Sequence, residues 1–460
     1  MKLMIGSAGP RNSEGPKISK RARLASQLLS LALALALPCV TLAKDEAPKK
    51  QKSKTSVSAK NSAKETKEPK KPKRKKKVKE IVQAPAAEPV NLDRDAEARL
   101  LDIYRLTANG QNYEAIQSAA KLVQDRPNFQ LAQLVYGDLL SSRSRTIQKI
   151  GDIPDTITAD VSTALTNLRD ESQRRVLSSK ERPSNGLVPS QFLKLSASTK
   201  NAIAVDASKS RLYLFENTPT GLRLVSDYYM SVGKAGVLKN QEGDLRTPLG
   251  VYYITSHLDR ASLSEFYGAG ALPLNYPNML DQKRGKSGGG IWLHGTPPNQ
   301  FSRAPRASEG CVVLSNPDIA DLIRTVKVRT TPVVIASELN WQPAKSLSSQ
   351  GKSFENALND WRSAKASGDA NKALAFYTPD FSSNGKTIKE WGPALKAEMT
   401  AAQGKTIELK DLSYLQWADS AETMVVTFGE VIGDNKSGKN KRQYWIRSNK
   451  EWKIFHEGTV

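Results

Sequence analysis

Two short stretches hold the residue types most able to do covalent chemistry. One is Trp292-Leu293-His294-Gly295-Thr296, the other Ser308-Glu309-Gly310-Cys311-Val312-Val313-Leu314. A thiol is a strong nucleophile only as thiolate, and an imidazole nearby can take its proton. His294 and Cys311 are 17 positions apart, so a loop must bring them together. His294 ends an apolar run that reads as a strand, which would hold the ring rigidly. Gly310 allows a tight turn and leaves the N–H groups beside Cys311 open to a developing oxyanion. The pattern points to a Cys–His acyl-transfer site on a β scaffold. The residues alone leave open the plainer alternative of a buried cysteine and an unrelated histidine.

Cysteine usage sharpens the question. The chain has two, Cys39 and Cys311. Residues 1–43 read as an export signal: Lys17, Lys20, Arg21 and Arg23 precede the apolar run Leu24 to Leu37, and Thr41-Leu42-Ala43 suits a cleavage site. The run is short for a membrane span, which favours a cleaved signal over an anchor. Pro38 before Cys39 argues against lipid attachment there. Once the signal is removed, Cys311 is the only thiol, and it has no partner for an internal disulfide.

The net charge of +23 is unevenly spread. Residues 1–43 carry +5 and residues 44–80 carry +11, leaving +7 for residues 81–460. The expected folded part is thus only mildly basic, and nucleic acid is not an expected partner. Residues 44–91, rich in Lys, Ser, Ala and Pro, read as a disordered tether. Its densest block, Lys70 to Lys79, is a solvated linker or an electrostatic contact to anionic lipid headgroups or wall polymers.

The elements that must position the chemistry follow. Residues 92–198 read as helical: apolar spacing around Ala115 to Val123 is broken by Pro127 and resumes at Leu131, Leu134, Val135 and Leu139. This pair resembles one tetratricopeptide-type hairpin, and is a candidate dimerisation element. From Asn201 the period changes to that of strands, at Ala202–Val205, Arg211–Phe215, Gly250–Ile254, Ile291–His294 and Pro332–Ile335. A helix is expected near Pro317 to Thr325. Ser346 to Ser353 read as a linker. Phe354 to Tyr377 and Trp391 to Met399 read as helices, followed by strands at 407–415, 423–431, 443–447 and 452–456. The fold class is multidomain. A mostly β domain over 199–340 follows the helical segment and precedes an α+β module over 350–460.

The order His-Gly, a gap, then Ser-x-Gly-Cys and apolar residues resembles the L,D-transpeptidase (YkuD-type) catalytic domain. Supporting pieces are Ile203-Ala204-Val205-Asp206, Ser231-Val232-Gly233-Lys234, the stretch Gly243 to Gly250, and Thr331-Pro332-Val333-Val334. The C-terminal module, through Trp361, Tyr377-Thr378-Pro379-Asp380-Phe381 and Trp452-Lys453-Ile454, resembles the nuclear-transport-factor-2-like fold. The three-part order resembles L,D-carboxypeptidases of the same family.

The resemblance implies that Cys311 attacks the carbonyl on the L-centre of diaminopimelate in a peptidoglycan stem tetrapeptide. D-Ala leaves and a thioester remains. His294 is then the base and later the acid, oriented through the carbonyl of Gly295. The N–H groups of Gly310 and Cys311 form the oxyanion hole, and Ser308 shapes the loop. No metal or organic cofactor is implied. Two positions depart from the pattern: Glu309 stands where many members have a basic residue, and Val312 and Val313 where many have Arg or Asn. These bear on acceptor choice. Tyr276 and Arg306 are candidate substrate contacts. Lys234, Arg246 and Arg303 have the charge to meet carboxylates, although a solvated role suits each. His257 reads as a loop residue and His456 as a packed one. The competing class is a wall-binding scaffold with an idle catalytic domain.

Overall fold

The computed structural model describes residues 95–152 and 158–460. The export signal and tether expected for 1–43 and 44–91 lie outside the described residues.

Four helices come first: α1 (Asp95–Ala108), α2 (Asn112–Asp125), α3 (Gln130–Ser141) and α4 (Ala159–Lys180). Leu100, Ile103, Ala115, Ala119, Leu122, Leu131 and Val135 close the core of this bundle. Within the chain the helices pack their apolar faces together and direct charged side chains to the central sheet. Phe301, from the loop between His294 and Cys311, belongs to the same core and lies 4.5 Å from Phe129.

A short ribbon joins β1 (Leu187–Pro189) to β12 (Trp341–Pro343). Between them lies the central domain. Its strands are β2 (Asn201–Asp206), β3 (Arg211–Thr218), β4 (Gly221–Gly233), β5 (Gly250–Tyr253), β6 (Leu258–Asp259), β7 (Gly270–Pro273), β8 (Trp292–His294), β9 (Arg306–Ser308), β10 (Val312–Leu314) and β11 (Pro332–Ala336). The hydrogen-bonded order is β5-β11-β2-β3-β4-β10-β8-β7-β6, with β9 on β4. A bridge from Ile254 to Leu274 draws the β5 and β7 regions together. Strands β2 and β11 run parallel and are buried on every residue, as the apolar runs Ala202–Val205 and Pro332–Ala336 require. The central core includes Ile203, Leu212, Met230, Leu293, Val312 and Ile335. Two helices interrupt the strands. One is the short α5 (Met279–Lys283); the other is α6 (Asn316–Thr325), which follows β10 and is capped by the Ser315 side chain.

The linker expected at Ser346 to Ser353 is instead helical, in α7 (Ala344–Gln350) and the start of α8 (Lys352–Ala366). Leu347 explains the difference: it is buried in the apolar layer between the central and C-terminal domains. The helix expected over Phe354 to Tyr377 breaks at Gly368, whose φ is +79°. It resumes as α9 (Ala370–Leu374), and Tyr377 opens β13 (Tyr377–Ser383). After β14 (Lys386–Thr387) and α10 (Ile388–Ala402) come β15 (Ile407–Trp417), β16 (Ser420–Ile432), β17 (Lys439–Ser448) and β18 (Glu451–Thr459). They form a six-stranded sheet over an aromatic core of Phe354, Trp361, Phe428 and Trp445.

The helical bundle is fastened to the central sheet by a buried charge network. Arg175 of α4, 2 % exposed, holds Glu171 at 2.8 Å and Glu97 of α1 at 2.8 Å. Glu97 also grips Arg211 of β3 through two 2.8 Å bonds. The Arg175 guanidinium lies 3.8 Å over the Tyr229 ring. Removing one partner of such a network strands the others without water. Arg175→Ala is therefore expected to destabilise the fold by roughly 3–5 kcal/mol in denaturant unfolding. An unchanged midpoint would show that the network is not what fastens the bundle.

Candidate active site

Strands β8 and β10 are parallel neighbours, with Leu293 beside Val312 and His294 beside Val313. Leu293, Val312 and Leu314 point into the central core. Side chains alternate along a strand, so Trp292, His294, Cys311 and Val313 share the opposite face. Register places Cys311 level with Trp292 and diagonal to His294. The two residues singled out for chemistry are thus brought onto one face by adjacent strands.

His294 is 1 % exposed. Its Nδ1 lies 2.7 Å from the carbonyl of Gly295, which assigns the proton to Nδ1 and leaves Nε2 free to accept one. Gly295 is held in turn. Its N–H donates to the Tyr267 carbonyl at 3.0 Å, and a Cβ there would stand 2.2 Å from Asn316 Oδ1. Asn316, at the start of α6, accepts from Ala269 N–H and Thr296 N–H and donates to the Thr296 carbonyl. The His294 ring packs edge-on to Tyr267 at 5.1 Å, with Phe266 at 5.9 Å. Burial lowers the His294 pKa to about 4, and the charge of Arg303 adds to this against the Gly295 bond. The ring is neutral at physiological pH.

Cys311 is half-buried, and its Sγ donates to the Gly290 carbonyl at 3.3 Å. Burial pushes the thiol pKa up; a backbone bond from Trp292 and the charge of Arg303 pull the other way. The thiol is a neutral acid beside a neutral base. The turn before it is fixed by Ser308, whose Oγ donates to the Cys311 carbonyl at 2.6 Å and accepts from Gly310 N–H at 3.1 Å. Gly310 has φ +131°, and a Cβ would meet the Arg246 carbonyl at 2.8 Å, so only glycine fits. Thr247 Oγ1 donates to the Gly310 carbonyl at 2.9 Å and accepts from Gly233 N–H at 3.0 Å.

Some expected roles change. The Gly310 N–H is committed to Ser308, so of the two amides expected to face an oxyanion, Gly310 is not open in this conformation. Tyr276, expected near substrate, is 6 % exposed in the central core. Its hydroxyl donates to the Ser287 carbonyl at 3.1 Å, in the loop that leads to Gly290. It steadies the loop from below. Arg306 is exposed at the start of β9. His257 is an exposed loop residue paired with Asp259 at 3.3 Å, and His456 is buried in the C-terminal sheet. Sequence reasoning gave no role to Thr247, Phe266, Tyr267 or Asn316. Each acts on the site from a distant stretch of chain, and only the Gly243 to Gly250 motif had signalled one of them. Among the described residues, no group of three or more His, Cys, Asp or Glu is arranged to hold a metal ion.

Comparison with known proteins places two of the domains. Residues 200–335 match the family model of the YkuD L,D-transpeptidase catalytic domain. Residues 353–458 match the Cds6 C-terminal NTF2-like domain. The chain therefore carries a domain of the YkuD L,D-transpeptidase type followed by an NTF2-like domain. Among solved structures it is similar to Bd1075 of Bdellovibrio bacteriovorus, with 25 % identity and a TM-score of 0.52 over 60 % of this chain and 98 % of that one. It is also similar to the helical cell shape determining protein Pgp2 of Campylobacter jejuni, with 22 % identity and a TM-score of 0.47 over 58 % and 95 %. An L,D-transpeptidase from Mycobacterium smegmatis aligns at 14 % identity and a TM-score of 0.20 over 30 % and 58 %. No curated protein matches the chain in sequence.

Two outcomes follow from the charge states. With the thiol raised, the Cys311-dependent alkylation by iodoacetamide, taken as wild type minus Cys311→Ser, is expected to be slower at pH 7 than that of a free thiol. It should climb only above the ordinary thiol range; a thiolate plateau at pH 6 would contradict a neutral pair. For His294 the folded pKa lies below the ordinary 6.5, so on acidification the unfolded chain takes the proton first. No cost arises above about pH 6.5, and stability drains as pH falls towards about 4, by on the order of 3 kcal/mol. The wild-type Tm should therefore fall more steeply over that window than that of His294→Gln. Parallel curves would argue against a neutral buried ring.

Proposed function

We propose that the chain is an exported peptidoglycan acyl-transfer enzyme whose nucleophile is Cys311 and whose base is His294. The observation that carries this reading is the placement of the two side chains on one face of adjacent parallel strands, with Nδ1 of His294 engaged and Nε2 free.

Chemistry follows from the neutral pair. As a peptide carbonyl approaches, Cys311 Sγ leaves the Gly290 carbonyl and attacks, and its proton passes to Nε2 of His294. The Gly295 carbonyl supports the imidazolium that forms. The Cys311 N–H is the donor proposed for the oxyanion, held in place by the Ser308 tie. Collapse breaks the bond to the leaving amine, which takes the proton from His294. A thioester on Cys311 and a free amine remain. An acceptor amine or water then attacks the thioester, giving its proton to the same imidazole, and the thiol is regenerated.

The substrate proposed is the stem tetrapeptide, cut between the L-centre of diaminopimelate and D-Ala. Transfer to the amine of a second stem is the first reading, an L,D-transpeptidase. Hydrolysis to a tripeptide is the second, favoured by the three-part domain order. The tether at 44–80 would hold the enzyme near the wall or membrane by charge.

Mass spectrometry of disaccharide-tetrapeptides incubated with the full chain tests the reading. Cross-linked dimers, or exchange of D-Ala for an added D-amino acid, are the expected products of a transpeptidase; tripeptide with free D-Ala identifies a carboxypeptidase. Cys311→Ala should lose at least about a thousandfold in turnover while keeping its fold. Turnover surviving in that variant would sink the mechanism.

A further inference from the structure

The helical bundle does more than brace the catalytic loop. A cleft of about 520 Å³ opens between them. Gln130, Ala164 and Asn167 line it from α3 and α4, and Asn299, Gln300 and Arg303 from the loop. Phe266 stands at its edge, 5.9 Å from the ring of His294, and the Arg303 guanidinium lies 4.7 Å over the Phe266 ring. His294 and Cys311 do not line the cleft themselves; Phe266 and Arg303 connect its lining to them, Phe266 by its ring beside His294 and Arg303 by its charge.

Its chemistry is specific. Four side-chain amides offer both donors and acceptors, the pattern that a peptide backbone matches. The carboxylate in its lining, Glu171, is engaged by Arg175 and by Ser302 Oγ at 2.7 Å. Arg303 has no ion-pair partner within salt-bridge reach among the described residues, and its carbonyl is pinned by the Tyr229 hydroxyl at 2.8 Å. Its charge reaches both Cys311 and His294. Exposed Glu309 also feels it. A planar cation held on an aromatic face at the end of an amide-lined cleft is suited to a carboxylate.

We propose that this cleft, walled by the helical bundle, is the peptide subsite of the enzyme, taking a carboxylate-bearing peptide with its carboxylate on Arg303. This deepens the function proposed above and rests on it for the identity of the peptide. Arg303 is here a substrate-positioning residue, and the helical bundle becomes part of the binding site.

The test uses the full chain and two donors, a disaccharide-tetrapeptide and the sugar-free tetrapeptide, with D-Ala release as the readout. Ala164 is exposed on α4, so Ala164→Trp fills the cleft without entering the core. Arg303→Gln removes the charge from the other wall. Each is expected to raise KM about tenfold or more on both donors; kcat is little changed in Ala164→Trp, whereas Arg303→Gln also shifts the pH profile of kcat because its charge reaches Cys311 and His294, and Arg303→Lys should regain part of both losses. Ala164→Trp should leave the alkylation rate of Cys311 by iodoacetamide unaltered, which separates a blocked cleft from a damaged site. Wild-type KM in both variants overturns the subsite while leaving the proposed function standing. A rise confined to the sugar-bearing donor also overturns it, assigning the cleft to glycan. If the wild type releases no D-Ala, the proposed function fails instead. Titrating tetrapeptide into Cys311→Ser with and without Ala164→Trp then decides the cleft: weaker binding upholds it, equal binding overturns it.

Discussion

The parallel pairing of β8 with β10 governs the rest of the site. Parallel neighbours cannot be joined by a tight turn; the chain must travel back the length of the strand before it can re-enter the sheet. The segment from Gly295 to Cys311 is that return path. Its length is the reason His294 and Cys311 stand 17 positions apart and yet lie on one face of neighbouring strands. A path of that length would be free to wander, and a wandering loop could not aim a thiol. Every part of it is therefore fastened: Asn316 holds its start, Phe301 and Ser302 its middle, β9 and Ser308 its end. The middle fastening comes from outside the β domain, which makes the helical bundle a structural partner of the catalytic loop.

The site's electrostatics follow from the same enclosure. Burial that fixes the His294 ring also removes water from it, and so favours its neutral form. The thiol is treated likewise and finds its partner in a carbonyl. A carbonyl can accept a thiol proton but offers nothing to a thiolate. In the proposed mechanism, Cys311 gives up this proton only once an electrophile and Nε2 are both in place. Arg303 works against that restraint on the thiol, since its charge favours thiolate, while at His294 it works with burial. One cation thus lowers both proton affinities.

What was legible in the sequence was whatever local pattern encodes. Strand period marked β2, β3, β5, β8 and β11, and the Cys–His spacing with its glycines marked the reactive pair. The catalytic fold and the C-terminal fold were both readable, because many landmarks recur in order. What stayed hidden depends on contacts between distant segments. Ser346 to Ser353 look like a linker because their one apolar anchor, Leu347, has meaning only against the domain interface. Tyr276 looked like a substrate contact because exposure cannot be read from a tyrosine beside a proline. The occupied amide of Gly310 depends on a side-chain rotamer at Ser308. Asn316, which clamps two loops at once, carries no motif at all.

The helical bundle is the clearest case of meaning carried by placement. Its apolar spacing announces helices and nothing about their partner. A tetratricopeptide-like hairpin would bury its face against further repeats or a second copy. Here the open end of the bundle core is closed by Phe301, a residue from the catalytic loop, and the polar side is closed by Arg211 of the sheet. The bundle's packing and the loop's geometry are then one cooperative unit: α4 cannot leave without exposing Phe301 and taking Arg175 from Glu97 and Glu171 from Ser302. A peptide bound between α4 and the loop would touch both halves of that unit. Substrate recognition and nucleophile alignment would then draw on the same contacts.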